Sequence, residues 1–279
     1  ENNFFQIGLD VMNMFTTGKV HLNVDGARSE NNFFNQFSGC QVNKFYGPHP
    51  AGNVGVQIHH VDPVNKGDVV WTLSPQSIVI IGRFFAKGLY DMSKIIALTG
   101  SEVKVRNYYK IIQGLNIASI IKNNIKKGEK RFISGNVLSG RRIGKDGFIG
   151  FFDDQVTVIP EGNYYQLFGW ALPGFHKYSF SRLFFSWLNE KKEYVLDSNM
   201  NGEERAFVVS GQYEDFVPMD IYPVHLIKAI MAQDIELMEQ LGIYEVDPAD
   251  FSLCEFACTS KIPVQDIIRE GLDLIKKEC

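Results

Sequence analysis

The hydrophobic period changes near residue 93, and that change limits the folds open to this chain. Before it, apolar residues recur at helical and strand spacings in turn. FFQIGLDVMNMF (4–15) carries the i, i+3, i+4 pattern of a helix, and KVHLNVD (19–25) alternates like a strand that ends in a turn. NNFFNQF (31–37) reads as helix, CQVNKFY (40–46) as strand, and DVVWTLS (68–74) as strand. SIVIIGRFFAKGLY (77–90) reads as a helix with Pro75 near its start. Strands alternating with helices at this spacing predict an α/β layer with a largely parallel sheet, a Rossmann-like domain over 1–92.

From Lys94 the pattern is that of short paired strands. SKIIALTGSEVKVRNYYKII (93–112) predicts two strands around a glycine-containing turn. NIASIIKNN (116–124) predicts a short helix, and KRFISGNVLSG (130–140) a further strand. These elements predict a small ubiquitin-like β-grasp domain over 93–160. Residues 161–217 form an aromatic-rich connecting segment with Tyr164, Tyr165, Phe168, Trp170, Phe184, Phe185 and Trp187. The last part, 218–279, is helical. YPVHLIKAIMAQDIELMEQLG (222–242) gives two short helices ending at Gly242, and Asp247-Pro248 supplies an N-cap and first-turn proline for the next. In VQDIIREGLDLIKKE (264–278) the apolar positions 264, 268, 272 and 275 form one stripe.

Composition narrows the function classes. At 45% hydrophobic and 22% charged, the 279 residues can bury a substantial core. The most apolar window, Ser77 to Ala86, is interrupted by Gly82 and Arg83, so nothing has the length and apolarity of a membrane-spanning helix. Residues 201–279 hold six basic and sixteen acidic residues, a net of −10, and residues 1–200 carry a net of +6. That asymmetry argues against a nucleic-acid binder and fits a protein with a docking face of each sign. Four separated cysteines, Cys40, Cys254, Cys258 and Cys279, suggest a reducing compartment rather than a disulfide scaffold.

Two stretches carry chemical residue types. GPHPAGNVGVQIHHVDPV (47–64) concentrates glycine, histidine and proline. Gly47, Gly52 and Gly55 follow an apparent strand, where an α/β sheet places its ligand loop, and glycine lets backbone approach an anion closely. The spacing is neither the dinucleotide fingerprint nor a P-loop, so a rigid turn is an equal reading. His49, His59 and His60 invite a metal. Adjacent histidines, however, diverge by about 100° on a helix or face opposite sides of a strand, and no cysteine or carboxylate cluster completes a set. Cys254 and Cys258 are four apart and share a helical face, but a metal or cluster needs about four ligands, so buried thiols are the plainer reading. The run Lys126, Lys127, Lys130, Arg131, Arg141, Arg142 and Lys145 reads as a solvated basic face. No nucleophile elbow or Ser/His/Asp arrangement is present, and no catalytic residue is assigned.

GPHPAGNVGVQIHHVDPVNKGDVVW (47–71) resembles the signature region of the A subunit of the bacterial sodium-translocating NADH:quinone oxidoreductases. ISGNVLSG (133–140), QVTVIPEG (155–162), FGWALPG (168–174), NGEERAFV (201–208), FVPMDIYP (216–223) and LCEFACTSK (253–261) follow in the order of that family. The resemblance covers essentially the whole chain. It implies a Rossmann-like α/β domain, a β-grasp (SLBB-like) domain and a C-terminal helical domain, and a β-rich N-terminal segment that this chain, opening at Glu1, lacks. It implies a peripheral subunit on the cytoplasmic side of the bacterial inner membrane. The complex would have six subunits, oxidise NADH, reduce ubiquinone or menaquinone and export sodium. FAD, FMN, riboflavin and iron–sulfur centres are expected on other subunits, and a membrane-embedded flavin subunit is the expected partner.

Related flavin-binding subunits hold their cofactor with the glycine-rich loop and acidic residues. Here the matching positions are Gly47, His49, Gly52, Asn53, Gly55, His59 and His60, with no acid before Asp62. The Rnf-type relative holds a cluster on C-x-x-C-x-x-C, of which Cys254 and Cys258 would be a remnant. The expectation is a cofactor-free subunit that aids assembly and quinone access. The alternatives are a subunit that binds quinone or flavin directly, and a pure docking module.

Overall fold

A computed structural model of the chain describes residues 1–189 and 192–278, without the side chains of residues 29–32. Cys279 lies outside the described residues. The chain divides into two compact units, one of residues 1–92, 206–258 and 262–279, the other of 93–205 and 259–261.

The first unit opens with helix α1 (Asn2–Phe15), which buries Phe5 and Leu9, one turn apart. Strand β1 (His21–Asp25) pairs in parallel with β2 (Gln41–Phe45), His21 opposite Gln41 and Asp25 opposite Phe45. Between them NNFFNQ (31–36) belongs to a 3-10 helix, Ser29–Gln36, with Phe37 as its C-cap, rather than to a full α-helix. Helix α2 (Val54–Val61) follows the glycine-rich turn. Helix α3 (Pro75–Lys87) starts at a Ser74 cap that accepts the Ser77 N–H and ends at left-handed Gly88. Helices α1 and α3 pack unusually close: a Cβ on Gly82 would stand 1.7 Å from the Phe4 carbonyl oxygen.

The expected parallel sheet is two strands among the described residues. DVVWTLS forms no strand. Val69 and Trp71 are among its exposed side chains, Trp71 at 85%, so its alternation pairs with no neighbouring strand. Apolar alternation marks a strand only when a sheet face is there to receive it.

The second unit is built on a five-stranded mixed sheet. Strand β3 (Ser93–Thr99) pairs antiparallel with β4 (Asn107–Ile112), and helix α4 (Ala118–Ile121) follows. Then come β5 (Lys130–Ser134), β6 (Arg141–Ile143) and β7 (Gln155–Pro160). The order is β4-β3-β7-β5-β6, with the first and last strands, β3 and β7, parallel at the centre. This is the β-grasp arrangement. Ile96, Leu98, Ile117, Ile121, Val156 and Val158 fill the space between sheet and helix. Residues 161–205 continue in this unit, and their described residues include a short 3-10 turn, Phe185–Leu188.

The chain then returns to the first unit. Helices α5 (Pro223–Met231), α6 (Ile235–Gln240), α7 (Ser252–Ala257) and α8 (Val264–Glu278) surround a core that includes Leu226, Ile227, Met238, Phe251 and Ile268. Each such fully buried apolar side chain contributes about 1.5–3 kcal/mol relative to exposure. Asp247 and Asp250 form a capping box ahead of α7, so the predicted cap and proline stand where expected. Val56 of α2 is buried in this same core, which ties the glycine-rich turn to the C-terminal helices.

Candidate functional site

The glycine-rich stretch folds as two successive turns leading into α2. The Ala51 N–H donates to the Pro48 carbonyl (3.0 Å) and the Asn53 N–H to that of Pro50 (2.8 Å). Gly47 adopts a φ of +130°, which side-chain-bearing residues avoid. His49 and Gly52 face solvent. Asn53 is the N-cap of α2, yet its side chain does not cap the helix: Nδ2 donates to the Ala249 carbonyl at 3.0 Å. Gly55 is buried against Asp250, and a Cβ there would stand 1.9 Å from Asp250 Oδ2.

Asp250 is the residue that sequence reasoning missed here. It is 1% exposed. Its Oδ2 accepts the Asp247 N–H at 3.1 Å, and Oδ1 has no hydrogen-bond partner. Burial pushes its carboxyl up to about 6, against the pull of the Asp247 and Val56 backbone amides and the Asn53 side chain, which favour the charged form. The D-P-A-D spacing marks a capping box, but burial of its second acid against a distant glycine has no local signal.

The two histidines are committed to the C-terminal part. His59 Nε2 accepts the Asp220 N–H at 3.0 Å, which requires the Nδ1–H tautomer, and Nδ1 donates to Glu245 Oε2 at 2.6 Å. His60 Nε2 donates to the Pro218 carbonyl at 2.9 Å. The rings stand edge to face with centroids 5.3 Å apart. Neither ring nitrogen of His59 has a lone pair left for a metal, and no group of three or more His, Cys, Asp or Glu among the described residues could hold one. His49 joins neither histidine in any such group.

Cys254 and Cys258 are buried around one tyrosine. The Tyr213 hydroxyl donates to Cys258 Sγ at 2.9 Å, and the Cys254 thiol points to the Tyr213 carbonyl at 3.7 Å. Burial pushes the Cys254 thiol up to about 12, so it is protonated at neutral pH. Two buried cysteines, each already hydrogen-bonded to Tyr213, do not make a cluster site.

In the second unit the basic run is partly internal. Lys130 pairs with Glu102, both nearly buried. Arg131 and Arg142 share Glu161 at 2.6 and 3.2 Å, and the Arg131 hydrogen bond holds the Glu161 carboxyl below its usual range. Arg141 and Lys145 remain on the surface. Glu161 also accepts the Ser198 hydroxyl, which anchors the start and end of the aromatic segment. Between those anchors Tyr165, Leu167, Phe168, Trp170, Leu183 and Leu188 are exposed. No helix among the described residues is long and apolar enough to cross a membrane.

Residues 1–90 match the NqrA second alpha/beta domain, and residues 95–145 match the NQRA C-terminal domain. The A subunit of the Na(+)-translocating NADH-quinone reductase from Hahella chejuensis is 37% identical over 276 residues, covering 98% of this chain and 61% of the relative. The protein of the same name from Yersinia pestis bv. Antiqua is 35% identical over 281 residues, 100% of this chain and 62% of its own length. That from Rhodopirellula baltica is 37% identical over 276 residues, 98% of this chain and 60% of the relative. The chain thus spans about 61% of the length of these curated relatives. With both domain matches in sequence order and identity of this level along nearly every residue, the chain belongs to the NqrA family, the A subunits of the Na(+)-translocating NADH-quinone reductases.

Proposed function

We propose that the chain is part of a peripheral subunit, on the cytoplasmic face of a bacterial inner membrane, in a complex that oxidises NADH, reduces ubiquinone or menaquinone and exports sodium. In that complex it holds no cofactor. It docks on a membrane-embedded flavin subunit, where it helps shape the path of the quinone. The observation that carries the reading is the aromatic segment 164–188. It leaves Leu167, Phe168, Trp170, Leu183 and Leu188 exposed within a short span of sequence, and exposed apolar side chains gathered in one region mark interaction sites. Its tryptophans and tyrosines are the side chains favoured where an apolar surface meets a wet one.

The test uses the assembled complex. Leu167→Ser and Trp170→Ser are introduced together in this subunit. Quinone reduction by NADH is then compared with NADH oxidation by a water-soluble acceptor. The reading expects quinone reduction to fall by an order of magnitude or more while the soluble-acceptor reaction persists. Quinone reduction at the normal rate would remove the segment from that role.

A pure docking role draws on a different feature, the exposed cations of the β6 edge. In that case Arg141→Glu weakens assembly, and salt mimics the substitution.

A further inference from the structure

The start of a helix offers unpaired N–H groups and a positive dipole end, and glycine beside it lets an anion approach the backbone. Helix α2 has these features. Its N-cap Asn53 leaves the first turn uncapped, because the side chain turns to Ala249. A buried carboxylate stands beside this first turn. Asp250 lies flush against Gly55, the Val56 backbone amide and the Asn53 side chain face its carboxyl, and Oδ1 is buried without a hydrogen-bond partner. We infer that Asp250 is a built-in anion filling the cradle at the start of α2, so that the glycine-rich turn holds the C-terminal helices where a flavin or nucleotide phosphate would otherwise sit.

Four hydrogen bonds close the same clasp. Asn53 to Ala249, His59 to Glu245 and Asp220, and His60 to Pro218 all run from the turn and α2 to residues 218–250. Asp247 is the charged group that acts on Asp250 from its own turn; its carboxylate disfavours a second negative charge beside it. A phosphate entering here would meet the Asp250 carboxylate, which packs against Gly55 and repels a second negative charge. The inference concerns this loop alone and does not depend on the role of the chain in a complex.

The test is a pH titration of the purified, isotope-labelled protein by NMR, followed at neutral pH by additions of inorganic phosphate and then FMN. The Asp250 side-chain carboxyl and the Val56 amide should titrate together with a midpoint at about 6. The Val56 response should vanish in Asp250→Asn. Millimolar phosphate or FMN should leave the Gly55 and Val56 amides unmoved. A Val56 amide that ignores the Asp250 titration overturns the inference. So does a Gly55 or Val56 amide that shifts saturably with phosphate or FMN in the unsubstituted protein. Should Asp250→Asn fail to fold, the shared midpoint in the unsubstituted protein and the ligand additions still decide.

Discussion

Gly55 and Asp250, 195 positions apart in the chain, meet so closely that a methyl group on Gly55 would stand 1.9 Å from the aspartate Oδ2. The contact joins the first turn of α2 to the capping box ahead of α7. It makes Gly55 a packing residue rather than one chosen for backbone freedom.

Gly55→Ala should therefore destabilise the first unit by about 1–3 kcal/mol or more, because the carboxylate and the helix start must separate. Gly52→Ala is the control. A Cβ at Gly52 meets nothing within 4 Å, and the change should stay within about 0.5 kcal/mol. Urea unfolding of the two variants checks the contrast.

Asp250→Asn should stabilise the protein at neutral pH. The carboxyl ionises at 3.8 when unfolded and at about 6 when folded, so the folded state holds the proton more tightly. The stability contributed by this group is full below the unfolded value and is lost as pH rises through the folded one. The loss amounts to about 3 kcal/mol by pH 7. The asparagine variant should not show that decline, and unfolding free energies measured on both sides of the window test the sign as well as the size.

His59→Ala should cost about 1–3 kcal/mol, since it leaves the Asp220 amide and the Glu245 carboxylate without their partner. A chelator should leave the thermal midpoint of the unsubstituted protein unchanged. A drop in that midpoint on adding chelator would show that the histidines serve a metal after all.

Cys254 and Cys258 should resist an alkylating reagent in the native protein and react only on unfolding, while the partly exposed Cys40 reacts first. Mass mapping of modified peptides against time separates the three.

Local signals in the sequence mark most of the elements. Ser74 with Pro75 marks the start of α3, Gly88 its end, and Asp247 with Pro248 the turn before α7. The β-grasp unit is legible because β3 alternates, with Ile96 and Leu98 turned inward and Ile95 outward. DVVWTLS alternates too, but nothing lies beside it to pair with, and alternation cannot report an absent neighbour. At the candidate site the glycines and histidines stand out by type, and their partners do not. Glu245, Asp220 and Asp250 are some 160 to 195 positions away, and only the folded chain brings them to α2. A shorter separation, 41 and 45 positions, hides the role of the Cys254 and Cys258 pair, which depends on Tyr213 rather than on the spacing of the thiols.

The most direct measurement is an absorbance spectrum of the purified protein, followed by mass and iron analysis of what denaturation releases. The account predicts a colourless protein that releases no flavin and no iron. A stoichiometric flavin would contradict the filled cradle at Gly55 and Asp250, and stoichiometric iron with sulfide would contradict the burial of Cys254 and Cys258 around Tyr213.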